Sequence, residues 1–190
     1  MKRVTYVGLD VHKDSISVAI AEEGREPAKY LGRVANDVTR LRRVLEKLDS
    51  EQPLQICYEA GPTGYGLHRR LVELGHECRV IAPSKTPRKA ADRVKTDRRD
   101  AERLAHFLRS GDLTAIRVPT EQEEAMRNLL RAREDAKKAE TRAKRQLNSF
   151  MLRSGRIWSG RSKWTKLHLQ WIGGQAFEHE ADILVLSDYL

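Results

Sequence analysis

Two short apolar runs, Val4 to Leu9 and Leu54 to Tyr58, lead directly into carboxylates, Asp10 and Glu59. Runs of this length, rich in β-branched and aromatic residues, read as buried strands. A buried strand that ends in an acid is awkward unless the acid meets a partner or a cation. If the two strands are parallel neighbours, their C-terminal ends lie together and so do the two acids.

The remaining pattern supplies such a sheet. After a polar break at His12, Lys13 and Asp14, Ser15 to Glu22 repeats the strand pattern, and a tight loop between the two predicts an antiparallel pair. A third strand is expected over Ala28 to Val34, with Pro27 delaying its start. Asn36 or Asp37 can cap a helix that places Val38, Leu41, Val44, Leu45 and Leu48 on one side and ends near Ser50. A helix from Tyr65 to Leu74, stopped by Gly75, and a strand from Cys78 to Ala82 follow Glu59. Three strands, helix, strand, helix, strand is an α/β layout with helix-linked parallel strands. Cys57 and Cys78 fall inside apolar runs and read as small buried hydrophobes rather than a disulfide or a zinc site.

Beyond this comes a basic stretch from Ser84 to Thr96, a loop or short irregular helix, and then a helix from Asp97 to Arg109. Val118-Pro119-Thr120 marks a boundary, so residues 1–118 are expected as one domain and 119–190 as a helical appendage. Thr120 with Glu123 forms a capping box for a helix that can run to Met151 without an internal Gly or Pro. Leu129, Ala132, Ala136, Ala139, Ala143 and Phe150 form a heptad-like seam, which fits either a paired helix or packing within the domain. A further helix over Arg161 to Ile172 is expected to pack back on the long one, and Glu178 to Leu190 reads as helical.

Asp97 and Asp100, three apart, share a helix face. With Asp10 and Glu59 they make four carboxylates that would repel one another unless divalent cations bridge them. Two such ions can activate the attacking oxygen and stabilise the leaving one in phosphoryl transfer. All-oxygen ligands suit Mg²⁺ or Mn²⁺. The alternatives are plain: Asp10 as a turn residue, and Asp97 or Asp100 as a helix cap or as partners of Arg98, Arg99 or Arg103.

A formal charge of +9 favours a polyanionic partner. His12 and Lys13 follow Asp10 and could contact a scissile phosphate. Lys85, Arg88, Lys89, Arg93, Lys95, Arg98 and Arg99 lie beside or within the paired-Asp helix, where they could hold a phosphodiester strand. From Arg127 to Lys166 thirteen basic residues stand against three acidic ones, with Arg142, Lys144 and Arg145 as candidate backbone contacts to DNA or RNA. No apolar run approaches the ~20 residues needed to span a bilayer. The N-terminus enters the first strand without a leader-like stretch, so a cytoplasmic protein with no membrane partner is expected.

Three strings together carry a family resemblance: Gly8-Leu9-Asp10-Val11-His12-Lys13, Tyr58-Glu59-Ala60-Gly61-Pro62-Thr63-Gly64-Tyr65-Gly66-Leu67 and Lys95-Thr96-Asp97-Arg98-Arg99-Asp100-Ala101. In this order they resemble the DEDD insertion-sequence transposases, relatives of the pilin-gene invertases. The resemblance implies a RuvC-like, RNase H-like fold, a mixed sheet with flanking helices, in which Asp10, Glu59, Asp97 and Asp100 take the four DEDD positions and bind Mg²⁺ or Mn²⁺. It also implies a coiled-coil arm, DNA as substrate, and a structured noncoding RNA that pairs with donor and target DNA, while the Ala seam of the long helix leads to the expectation of a dimer or larger oligomer. Family members carry a further C-terminal domain with a nucleophilic serine. By length the chain is expected to stop about where that domain should begin, and Ser154, Ser159, Ser162 and Ser187 offer no convincing replacement, so complete recombination by the chain alone is not expected. Three other readings stay open: a stand-alone junction-resolving endonuclease, a non-catalytic nucleic-acid-binding dimerisation module, and a sugar kinase or actin-like ATPase. The last would want a Gly-Thr phosphate turn where this chain has Val11-His12-Lys13.

Overall fold

In the computed structural model, residues 4–48, 54–87 and 96–189 are described, and they separate into two compact units, Met1–Pro119 and Thr120–Leu190. The first unit contains β1 (Thr5–Val11), β2 (Ser15–Glu22), β3 (Lys29–Ala35), α1 (Val38–Glu46), β4 (Gln55–Glu59), α2 (Gly66–Glu73), β5 (Glu77–Ile81) and α3 (Asp97–Ser110). The strands form one mixed sheet in the order β3-β2-β1-β4-β5. The β1–β2 and β2–β3 pairs are antiparallel, whereas β4 runs parallel to both β1 and β5. This α/β architecture, with helices flanking the sheet, is consistent with an RNase H-like domain.

Strand alternation divides the sheet into two chemically different faces. Val7, Leu9, Ile16, Val18, Ile56 and Tyr58 point to one side and pack with Leu41 and Leu45 of α1 and Leu71 of α2. The opposite face is built from small residues. Ala19 and Ala21 meet Ala101 and Ala105 of α3, and Cys57 and Ile81 meet Leu104 and Leu108. Cys57 and Cys78 lie on neighbouring strands as free thiols.

Local chemistry accounts for the element ends. Asp37, not Asn36, caps α1 by accepting from the Arg40 N–H at 2.9 Å. Asn36 instead donates through Nδ2 to the carbonyls of His12 (2.8 Å) and Lys13 (3.3 Å), tying down the β1–β2 loop. Thr96 caps α3 and Gly111 ends it in the left-handed conformation. After α3 the chain returns to the sheet edge, where the Ile116 N–H donates to the Val80 carbonyl at 2.8 Å.

The second unit is dominated by α4 (Glu121–Arg153), which begins with the expected capping box between Thr120 and Glu123. Near its C-terminal end Leu147, Phe150 and Met151 form a small core with Ile172 of α5 (Lys166–Gly173) and Leu186 of α6 (Glu180–Tyr189). The helix expected from Arg161 starts only at Lys166. Thr165 caps it, and Trp164 just before takes a left-handed φ of 65° that no helix can continue through. Of the heptad seam, Phe150 is buried, while Leu129, Ala132, Ala136, Ala139 and Ala143 are exposed in this chain. Among the described residues, no helix is long and apolar enough to cross a membrane.

Candidate functional site

The site begins with Gly8. A Cβ at this position would lie 2.3 Å from both the Ala101 carbonyl oxygen and the Ala105 nitrogen, so α3 rests on the bare backbone of β1. This contact brings the N-terminal turn of α3, with Asp97 and Asp100, against the end of β1. Asp10 follows Leu9 in the last residues of β1, and its side chain lies on the α3 face because Leu9 points to the other.

Around Asp10 three donors converge. His12 Nε2 lies 3.0 Å from Asp10 Oδ2 and 3.5 Å from Asp97 Oδ1, and the three ligand atoms fall within 4.8 Å of one another. Burial is the largest influence on Asp10 and raises its carboxyl above the ordinary value; His12 opposes this, and the charges of Asp100 and Asp97 add to it. Three carboxyl groups are thus gathered here, and the imidazole of His12 is the positive or hydrogen-bonding partner nearest to Asp10. Donor separations of this size fit a divalent cation with ligand distances of about 2.0–2.6 Å. His12, read from sequence as a phosphate contact, thus faces the carboxylates, held by a loop that Asn36 braces.

Asp100 is 7% exposed and accepts from the Arg103 guanidinium at 2.7 Å. The ion-pair alternative weighed from sequence therefore operates at Asp100, alongside its electrostatic influence on Asp10. Glu59 stands on the adjoining strand: β1 and β4 pair with Leu9 opposite Tyr58, and Asp10 and Glu59 are the next residue of each. The Thr86 hydroxyl donates to Glu59 Oε1 at 2.7 Å. Thr86 carried no sequence signal, because its neighbour in space lies 27 positions earlier. Thr86 is buried and fixes one oxygen of Glu59, which lies outside the group formed by Asp10, His12 and Asp97. Outer partners of ligating carboxylates typically contribute 10–100-fold to metal affinity. If Glu59 ligates a cation, Thr86→Val is expected to weaken Mn²⁺ binding roughly tenfold and Thr86→Ser to retain it, as titration calorimetry can check.

The basic candidates are distributed unevenly. Lys13 and Lys85 are exposed. Arg98 pairs with Glu102 through Nε at 2.9 Å and lies over the Tyr30 ring, and Arg99 is on the exposed side of the first turn of α3. Arg88, Lys89, Arg93 and Lys95 lie outside the described residues. On α4, Arg142 and Arg145 line an open groove with Lys137, Lys138, Thr141 and Gln146. Lys144 pairs with Glu140 and stands over the Trp164 ring, 5.4 Å from its centroid.

Comparison with known proteins places this arrangement in context. The model of a family described as transposase, the DEDD type named for IS110, matches residues 7–154. The y4qE transposase of Sinorhizobium fredii is 46% identical over 188 residues, covering 98% of this chain and 48% of that protein. The transposase for insertion sequence element IS1533 of Leptospira borgpetersenii is 34% identical over 192 residues, covering 100% of this chain and 56% of the relative. The transposase for insertion sequence element IS1328 of Yersinia enterocolitica is 24% identical over 161 residues, covering 82% of this chain and 44% of the relative. The chain spans about half the length of the curated relatives it matches.

Proposed function

The chain belongs to the DEDD transposase family of insertion sequences, and from that premise we propose that it supplies the metal-dependent catalytic part of a DNA recombinase. In this reading, residues 1–118 form a RuvC-like domain and residues 119–190 a helical coiled-coil arm. The observation that carries it is the convergence of Asp10, His12 and Asp97, with Asp100 close enough to perturb Asp10. Mg²⁺ or Mn²⁺ held by Asp10, Glu59, Asp97 and Asp100 would neutralise charge at the attacking and leaving oxygens of a phosphodiester.

The chain's own residues do the rest. Gly8 lets α3 deliver its two acids, Thr86 orients Glu59, and Arg103 holds Asp100 in place. Lys13, Lys85, Arg88, Lys89, Lys95, Arg98 and Arg99 would hold the strand near the acids. Arg142 and Arg145, with Lys144 beside them, would engage phosphates along α4. A structured noncoding RNA is proposed as a second partner of this basic arm. The exposed Ala132–Ala143 seam supports pairing with a second copy.

Binding of branched DNA tests the division of labour. In chelator, affinity is expected to fall steeply with salt, with a log–log slope of about −0.9 for each phosphate contact on duplex. Replacing Arg142 and Arg145 by Gln should flatten the slope by roughly two contacts and weaken all sequences alike. Replacing Asp97 and Asp100 by Asn should leave chelator binding unchanged or slightly tighter. Equal losses from both pairs, measured by fluorescence anisotropy, would mean that the acids contact nucleic acid directly and that the metal role is misassigned.

A further inference from the structure

The acidic site leaves one feature of the chain unexplained, the gathering of all three tryptophans in the second unit. Trp158, Trp164 and Trp171 surround His168. The Trp158 and Trp164 rings meet the imidazole at centroid distances of 5.2 and 5.3 Å, edge-on, and Trp171 stacks on it at 5.8 Å. His168 is 1% exposed, and its Nδ1 accepts the Trp164 N–H at 3.0 Å, so the neutral ring carries its proton on Nε2. Burial, and then Lys163, hold its pKa below the ordinary value. The left-handed backbone of Trp164 is a strained conformation for a side chain this large, a feature that concentrates at ligand clamps.

Core packing explains part of this cluster. Trp164 and Trp171 pack against Leu147, Phe150, Met151, Ile172 and Leu186. Trp158 stands outside that core. It forms one wall of a cavity of about 180 Å³, shared with Trp171, His168, Lys163, Arg156 and Asn148. Drug-sized pockets run to about 300–1,000 Å³, so this one suits a single planar ring system rather than a base pair. Its lining is aromatic and aliphatic, the latter from Met151, Leu152 and Ile157, with two cations. Arg156 is already fixed, donating to the Ala176 carbonyl at 2.7 Å and lying over the Phe177 ring. Asn148 adds an amide that can both donate and accept. Aromatic walls beside ordered cations are what proteins use to stack unpaired bases while neutralising the phosphates that carry them.

We propose that this cavity docks one unpaired nucleotide, its base against Trp158 and Trp171 and its phosphate at Arg156 and Lys163. The site rests on the reading of the chain as a nucleic-acid recombinase and gives that reading a single-strand contact remote in sequence from the carboxylates. DNA and RNA share the chemistry, and the test separates them.

Because all the tryptophans lie in the cluster, intrinsic fluorescence reports on it directly. Titrating the 190-residue chain with short oligothymidylate and with short oligouridylate is expected to quench its emission saturably, whereas a blunt duplex should bind by anisotropy without quenching. Quenching by only one oligonucleotide assigns the site to that nucleic acid. Trp158→Ala should weaken single-strand affinity roughly tenfold and Trp158→Phe much less. Lys163→Gln should lower affinity and salt dependence together, and it carries the test if Trp158→Ala does not fold. Duplex binding without any single-strand quenching, or single-strand affinity untouched by all three substitutions, overturns the pocket alone. Failure of every nucleic acid to bind overturns the pocket together with the reading it rests on.

Discussion

If the chain supplies the proposed metal-dependent site, Asp10→Asn is expected to abolish its response to Mg²⁺ or Mn²⁺ and to reduce any strand cleavage that the metal supports by roughly a thousandfold, several kcal/mol of transition-state stabilisation at 1.36 kcal/mol per decade. The same substitution should act on stability with opposite signs in chelator and in metal. The folded carboxyl of Asp10 has a pKa raised above 3.8, mainly by burial. For a raised acid, the favourable contribution is fully present below the unfolded value and is lost as pH rises through the folded one. At neutral pH in chelator the ionised Asp10 therefore opposes folding, and Asp10→Asn should melt above the wild type, with the gap closing as pH falls toward 3.8. Adding Mn²⁺ should reverse the order, because only the wild type gains the free energy of binding. Thermal melting at neutral and acid pH, with and without metal, checks all four combinations. Identical responses of the two proteins to metal would remove Asp10 from the site.

Much of this geometry was legible because it rests on periodicities that survive in sequence. Short apolar runs rich in β-branched residues located the strands, three- and four-residue spacing located α1, α3 and α4, and acids at strand ends pointed to one edge of the sheet. Contacts between residues far apart in sequence were not legible. Thr86 reaches Glu59 across a turn of chain that no spacing rule connects, and Asn36, a reasonable cap, bonds instead to the loop holding His12. His12 turned toward Asp10 and Asp97 because an imidazole beside crowded carboxylates is drawn to them, an effect invisible without the third dimension. α5 starts five residues after Arg161, where the sequence predicts it, for a local reason: the left-handed backbone of Trp164 interrupts the helix and leaves no mark in the residue order. Gly8 is an intermediate case. A glycine inside a strand signals a close approach, but which element approaches it is settled only when α3 packs.

That approach makes Gly8→Ala the substitution with the broadest expected effect. The new methyl would have to displace backbone atoms of Ala101 and Ala105, both at 2.3 Å, and backbone cannot rotate aside as a side chain can. The relief available is for α3 to lift from the sheet, which opens the contacts of Ala101, Ala105 and Leu104 with the small-residue face. Overpacking of this kind costs about 1–3 kcal/mol or more, a fall of roughly 10 °C in melting temperature for a domain of this size. The functional loss should be larger than the stability loss, because α3 carries Asp97 and Asp100, and a site held to within about 0.5 Å does not tolerate their withdrawal from Asp10. Leu45→Ala provides the comparison. Leu45 is buried on the opposite face of the sheet, and its truncation should cost about 2–5 kcal/mol without moving α3. Below both melting transitions, Leu45→Ala should therefore bind Mn²⁺ like the wild type while Gly8→Ala binds at least tenfold more weakly. If the two variants lose metal affinity in proportion to their lost stability, the tight seat of α3 on β1 serves the fold alone and does not set the geometry of the acids.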